Sequence, residues 1–247
     1  IVWGIGYTIA YPAWPLINGA TQGLLSYSMR GEVAEDIARV DAQNEEISTF
    51  LASADLSTLE RDHPAYQFGV SGGAAVFRAN CSQCHGAGAA GAVGYPNLLD
   101  DAWLWGGTLA EIEYTVTHGI RNDQDGDAHW SEMPAFGDIF SEEEIGMTTE
   151  YVLSLSGQDH DATMAAGGQV LFAENCAACH GEAALGDTSV GAPNLADAIW
   201  LYGGSRADVE YSITNARFGV MPAWGLRLTE EDVKAVALDV HQLGGGL

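Results

Sequence analysis

Positive charge is scarce in this chain. Its 247 residues include nine Lys and Arg against 34 Asp and Glu, which gives a formal net charge of −25 at pH 7. Because phosphate binding depends on Lys and Arg, this composition excludes nucleic acid as a natural partner. A surface of this sign attracts basic proteins and speeds their docking at low salt, although acidity also serves solubility alone.

Cysteine is also scarce, and all four cysteines fall in two short motifs, so none is left for a structural disulfide. The motifs are Cys81-Ser82-Gln83-Cys84-His85 and Cys176-Ala177-Ala178-Cys179-His180, each followed by Gly. A Cys-x-x-Cys-His run is the attachment site of a c-type haem: the thiols add to the vinyl groups, and the imidazole binds the iron. The sequence therefore predicts two covalently attached c-type haems, with His85 and His180 as iron ligands.

Other uses of a Cys-x-x-Cys motif fit less well. A disulfide or a thioredoxin-like redox pair has no need of a His directly after the second cysteine in both copies. A zinc knuckle needs further ligands close by.

The sixth iron ligand of an electron-transfer haem is usually a Met thioether, which raises the potential. The two motifs are followed by Met133-Pro134-Ala135-Phe136-Gly137 and Met221-Pro222-Ala223-Trp224-Gly225. We therefore expect Met133 to bind the first iron and Met221 the second. The other expectations are that Met147 and Met164 fill the core, and that His118 and His129, the rivals at the first haem, are surface or hydrogen-bonded histidines.

These motifs belong to an internal duplication. Cys176 follows Cys81 by 95 residues and Asn194 follows Asn97 by 97, whereas Met221 follows Met133 by only 88. The first copy thus carries nine extra residues before its Met, in the acidic segment 122–127, which lacks the Gly and Glu positions of an EF-hand calcium loop. Apolar residues at helical spacing predict an all-α fold. The predicted domains are 65–157, the first repeat, and 158–247, a linker with the second repeat.

The chain before the repeats is predicted to be helical. Residues 1–17 are uncharged and aromatic, which favours the outer end of a transmembrane helix, although a full span needs ~20 apolar residues. A leftover signal peptide or a buried helix are the alternatives. Residues 18–64 form a connector whose segment 32–52 is an amphipathic helix.

Two further groups of residues are candidates for contact with the haems. The carbonyls of Pro96 and Pro193 are placed to orient the axial histidines through their far ring nitrogen. Among the scarce cations, Arg121, Arg206 and Arg217 are expected near the haem edges, where at least one pairs with a propionate, with surface ion pairs as the alternative.

The order of these features resembles a known family. YPAWPLING, NCSQCHG…PNL…WLWGG…MPAFG and NCAACHG…PNL…WLYGG…MPAWG are similar to the dihaem subunit, subunit III, of cbb(3)-type cytochrome c oxidases. The resemblance implies an oxidase subunit without its own catalytic centre, anchored in the bacterial inner membrane with its haem domains on the periplasmic side. It also implies a cytochrome c donor, which the acidic surface suggests is basic, and transfer to a monohaem subunit and a catalytic haem–copper subunit.

Two other classes remain open at this point. A free dihaem carrier similar to the cytochrome c4 group would lack the anchor and the connector. A dihaem peroxidase would need one iron with an open or openable position, which two His/Met sites do not offer.

The charge imbalance yields a first prediction. Raising ionic strength from 10 to 200 mM should slow reduction of the holoprotein by a basic cytochrome c by about tenfold, because exposed charges are screened beyond about 10 Å at 0.1 M. Stopped-flow reduction at several salt concentrations measures this, with a small neutral reductant as the control. A salt-independent rate would leave the acidic surface a role in solubility only.

Overall fold

The computed structural model describes residues 1–246. Leu247, the last residue of the predicted second domain, lies outside them. The architecture is all-α, as predicted, and a single short antiparallel pair of strands occurs in the described chain, β1 (Pro15–Leu16) with β2 (Gly19–Ala20). The helices are α1 (Val2–Ala10), α2 (Met29–Ser53), α3 (Pro64–Val76), α4 (Ser82–His85), α5 (Leu109–His118), α6 (Glu142–Leu155), α7 (Ala162–Asn175), α8 (Ala177–His180), α9 (Arg206–Asn215) and α10 (Glu230–His241).

The chain divides into two compact units, of which residues 1–50 are the first. In α1 and at its C-terminal end, the Tyr7 ring stacks between Trp3 and Tyr11. Within residues 1–246 we find no helix that combines the length and the apolar character needed to cross a bilayer. Helix α2 confirms the predicted connector helix and extends it by a few residues at its start.

The second unit contains both haem motifs, and its helices begin where the sequence provides caps. Ser141 and Glu144 form a capping box at the start of α6, in which each side chain accepts a hydrogen bond from the other residue's backbone N–H. Thr108 and Glu111 do the same for α5, and Thr229 caps α10. Three 3₁₀ turns, at Leu56–Thr58, Phe136–Asp138 and Trp224–Leu226, and a π-helical turn at Phe77–Cys81 complete the regular structure.

The second unit has two hydrophobic cores, and each combines both repeats. In the first core, Phe77 and Ile112 of the first repeat pack with Val236 and Leu238 of α10. The second core joins buried residues of α6 to buried residues of the second repeat; they include Phe136, Ile145, Val152, Leu153, Phe172, Val209 and Ile213. Accordingly α3 packs against α10, and α6 packs against α7 and α9.

The last helices of the two repeats are therefore exchanged. The expectation that each haem motif packs with the methionine and final helix that follow it in the sequence is wrong. The physical reason lies in the linker: only residues 156–161 separate the end of α6 from the start of α7. A connection of this length makes consecutive helices antiparallel neighbours, so α6 covers the second motif and leaves the first motif to α10.

The exchange requires two segments to cross, and they are hydrogen-bonded where they meet. Ile120 N donates to Met221 O and Met221 N donates to Ile120 O, both at 3.0 Å. Arg121 Nε adds a bond of 2.7 Å to Gly219 O. The polypeptide therefore passes from the first core to the second and back at one place.

Glycines permit the closest helix contacts in both cores. A Cβ at Gly73 would overlap the carbonyl of Ala235 on α10, and one at Gly168 would overlap the carbonyl of Met147 on α6. These glycines are 95 residues apart, like the two haem motifs. The same crossing of two helices is thus built twice.

We predict that Gly73→Ala destabilises the holoprotein by ~1–3 kcal/mol, because the added methyl forces α3 and α10 apart. Gly72→Ala is the matched control: its Cβ would lie 3.9 Å from Ala235 Cβ, an ordinary contact, and helix propensity favours Ala there. Urea unfolding followed by circular dichroism and by haem absorbance measures both variants. Equal midpoints would contradict the close crossing of α3 and α10.

Candidate haem sites

Each haem motif lies at the end of a helix that leads out of a core. Helix α3 runs through the π-helical turn into α4, which carries Cys84 and His85. In the second repeat α7 leads to α8, which carries Cys179 and His180. In both motifs the first cysteine is partly buried and the second is exposed, so the two thiols lie at the rim of a core.

The axial histidines are oriented in the same way at both sites. His85 Nδ1 lies 3.0 Å from Pro96 O, and His180 Nδ1 lies 3.0 Å from Pro193 O. Because a carbonyl only accepts, Nδ1 carries the proton and Nε2 keeps its lone pair. This is the arrangement that a metal-binding histidine requires.

A tight loop brings each proline back to its histidine. Gly91 N donates to His85 O at 2.8 Å, and Gly186 N donates to His180 O at 2.9 Å. Both glycines have positive φ, +65° and +81°, and a Cβ at either would overlap the backbone that follows. The loop can therefore return only with glycine at these positions.

The ionisation of these groups suits haem attachment. Burial lowers the pKa of His85 and His180 below the ordinary histidine value, against the opposing effect of the proline carbonyls, so both rings are neutral at pH 7. Burial, and to a lesser degree the neighbouring cysteine, raises the pKa of the Cys81 and Cys176 thiols to about 11. Such thiols are protonated at pH 7, whereas redox-active cysteines have a lowered pKa.

The remaining motif alternatives also lack support in the geometry. All four cysteines are free. Across residues 1–246, the one group of three His, Cys, Asp or Glu side chains with metal-binding geometry is His118, Asp125 and Asp127, which contains no cysteine. In the described structure, neither motif forms a disulfide or lies in a cluster of three metal-binding side chains.

The second site is a cavity that also contains the methionine of the first repeat. Cys176, Cys179 and His180 line it together with Met133, and Phe136 and Phe172 are among its apolar lining residues. The predicted pairing of Met133 with the first motif is therefore wrong. Met133 follows the crossing segment, so it enters the second core with α6.

The first site holds the methionine of the second repeat. Cys81 and Met221 both pack against the first core, together with Trp103 and Trp224. The predicted pairing of Met221 with the second motif is wrong for the same reason, because the chain returns to the first core at Ile120 and Met221. Both methionines thus lie in the opposite core from the one assigned by sequence order.

The rival ligands are engaged elsewhere. His129 stacks on Trp105 at a centroid distance of 4.3 Å, and its Nε2 lies 3.1 Å from Thr115 Oγ1. His118 Nδ1 lies 3.0 Å from Asp125 Oδ2 in the acidic insertion. Met147 and Met164 lie against glycines of α7 and α6, where they fill the helix interface as expected.

Two of the three candidate arginines line the second cavity. Arg121 Nη1 donates to Ser131 O at 2.8 Å, and Arg217 donates to Tyr202 O and Asp208 O at 3.0 Å each. Burial lowers the pKa of Arg121, yet a guanidinium remains protonated in proteins. Arg206 does not line the cavity; it forms an ion pair with Glu150.

Sequence reasoning missed one feature beside this cavity. Trp105 is 7% exposed, and its Nε1 has no hydrogen-bond partner. Its ring lies against Gly191, which lines the cavity. The sequence did contain a signal for this residue. In the corresponding runs WLWGG and WLYGG, Trp105 aligns with Tyr202, so both repeats have an aromatic residue at this position.

These residues fit a c-type haem. Each site offers two thiols at its rim, an imidazole with a free Nε2 and a thioether in the same core. At the second site the buried Arg217 Nε has no partner and is a ready donor to a carboxylate such as a propionate.

Comparison with known proteins agrees with this geometry. The family model "Cytochrome C oxidase, cbb3-type, subunit III" matches residues 69–152 and 163–238. The cbb3-type oxidase subunit CcoP of Cereibacter sphaeroides is 58% identical over 248 residues, covering 100% of this chain and 86% of the relative. Subunit FixP of Azorhizobium caulinodans is 47% identical and that of Sinorhizobium medicae 46%; each covers 100% of this chain, and 84% and 85% of the relatives. The resemblance of the sequence motifs is thereby confirmed, and the chain belongs to the family of subunit III of cbb3-type cytochrome c oxidases.

Proposed function

We propose that this chain is a dihaem electron-transfer subunit that accepts electrons from a cytochrome c donor and passes them to the monohaem and catalytic subunits of the oxidase. The observation that carries the proposal is the repeated site, in which an imidazole with its Nδ1 on a proline carbonyl shares a core with a thioether. A His/Met-ligated haem c has no open iron position and supplies one-electron transfer.

The ligands are assigned by core rather than by sequence order. Cys81 and Cys84 would hold the first haem, with His85 and Met221 on its iron. Cys176 and Cys179 would hold the second, with His180 and Met133. The carbonyls of Pro96 and Pro193 keep both imidazoles in the required tautomer.

The fold supports transfer between the two haems because the sites share their framework. Leu104 lies next to Trp103, which packs on the first core, yet Leu104 lines the second cavity. Gly94 N of the first repeat donates to Leu201 O of the second at 2.7 Å, and Leu201 also lines that cavity. These contacts tie the framework of one site directly to that of the other.

The partners and the location follow from the family and from charge. The relatives are named as subunits of cbb3-type oxidases, so we propose association with the membrane, with the catalytic haem–copper subunit and with the monohaem subunit. The haem domains would face the periplasm, where c-type haems are attached. The acidic surface, with 34 Asp and Glu, favours a basic cytochrome c as donor.

The proposal predicts that the chain, extracted from membranes with detergent, copurifies with a haem–copper subunit and contains two covalent haems. A pyridine haemochrome assay after acid–acetone extraction measures the haem count. The isolated reduced subunit should bind no carbon monoxide, because both irons are six-coordinate. Carbon monoxide binding would favour the peroxidase class, and a detergent-free monomer without oxidase subunits would favour the free carrier.

The exchange of methionines can be tested separately. The double substitution Cys176→Ser/Cys179→Ser removes the attachment site of the second haem, so that only the first haem is bound. In that background Met221→His should lower the midpoint potential by on the order of 100 mV, because imidazole replaces a thioether. Met133→His is the matched control and should leave the potential unchanged.

The reciprocal background, Cys81→Ser/Cys84→Ser, should reverse the two responses. Circular dichroism establishes that each variant is folded. If Met133→His lowered the potential of the first haem instead, the ligands would follow sequence order.

A further inference from the structure

The two arginines of the second cavity come from different repeats. Arg217 follows α9 of the second repeat, whereas Arg121 follows α5 of the first repeat and reaches the cavity because of the chain crossing. Arg121 lies over the Phe218 ring at 5.6 Å, and Arg217 lies over the Tyr211 ring at 4.5 Å. Backbone carbonyls and aromatic rings thus hold both guanidinium groups in place.

The first site receives no such pair from the corresponding positions. At the repeat offset of 97 residues, Arg217 corresponds to Ile120 and Arg121 corresponds to Phe218, neither of which is charged. Asp208 brings a carboxylate to 3.9 Å from Arg217. Glu111 occupies the corresponding position in α5, so this acidic position is common to both repeats.

A second negative charge opposes the arginines. Glu132 lines the second cavity, and its counterpart at the offset of 88 residues is Val220. Glu132 is exposed, however, while both arginines are partly buried. Solvent screens an exposed charge more than a partly buried one, so Glu132 only partly offsets the two arginines of the second cavity.

Donors without partners indicate where an anionic group binds. Arg217 Nε is buried and makes no hydrogen bond, and so is Trp105 Nε1, whose ring lies against the cavity wall at Gly191. Buried donors of this kind are costly unless a ligand satisfies them. The propionates are the anionic groups of a haem, and guanidinium pairs strongly with carboxylate.

We infer that Arg121 and Arg217 bind the propionates of the second haem and give it the higher midpoint potential of the two. This inference rests on the proposed function. A cation near the haem stabilises the reduced state, and pairing a propionate with arginine removes a negative charge that stabilises the oxidised state. An electron shared between the haems therefore resides on the second, so an electron that enters at the first haem moves downhill to it.

The test is a potentiometric titration of the holoprotein, in which Met133→His first identifies the wave of the second haem. The wild-type protein should show that wave at the higher potential. Arg121→Gln/Arg217→Gln should lower it enough to change the electron distribution between the haems at least tenfold, which is 59 mV for a one-electron couple. The wave of the first haem should stay in place.

Two control variants separate charge from structure. Arg121→Lys/Arg217→Lys should retain most of the difference, because the charge remains. Arg61→Gln, at an exposed position that does not line the cavity, should move neither wave. A haem count of two and an unchanged circular dichroism spectrum establish that the variants are intact.

The inference is overturned if the second haem has the lower potential in the wild type, or if the glutamine variants leave its wave in place. A failure of the proposed function has a different signature, namely fewer than two covalent haems or carbon monoxide binding in the wild type. The two failures are therefore distinguishable in the same preparation.

Discussion

The crossing of the chain at Ile120 and Met221 is the constraint on which the rest of the second unit depends. Two backbone hydrogen bonds of 3.0 Å hold it, and it sends each methionine and each final helix into the core built around the other haem motif. Neither repeat can complete its own core, because α3 has its packing partner in α10 and α7 has its partner in α6. Folding of the two sites is therefore coupled.

This coupling has a consequence for electron transfer. In two independent domains joined by a flexible linker, the separation of the haems would vary with domain motion. Here a hydrogen bond from Gly94 to Leu201 and the shared crossing join the two cores. On the proposed function, this shared framework would set the geometry of the two bound haems, and a donor would need to dock at only one of them. The short linker after α6 contributes to the same coupling, because it makes α6 and α7 packing partners.

Sequence reasoning succeeded where the signal is local. The family resemblance carried by the Cys-x-x-Cys-His motifs and the placement of Pro96 beside His85 each depend on residues close in the chain. The pairing of each methionine with a haem motif does not depend on residues close in the chain. Both Met-Pro-Ala-aromatic-Gly runs are equally compatible with either core. Which core each methionine enters is decided by the packing of helices from different repeats, and sequence periodicity carries no information about that packing. The buried Trp105 was missed because an aromatic residue in a loop is usually only packing.

The crossing also explains why the repeats became electrostatically unequal. After their middle helices the two copies read Gly119-Ile120-Arg121 and Ala216-Arg217-Phe218, so each contributes one arginine, displaced by one position. If each segment returned to its own core, each site would receive one cation. Because the segments pair and cross, the one-residue displacement directs both guanidinium groups to the second cavity. A change of one position in a crossed duplication thus places both arginines at one site, and the inferred difference in haem potential rests on this asymmetry.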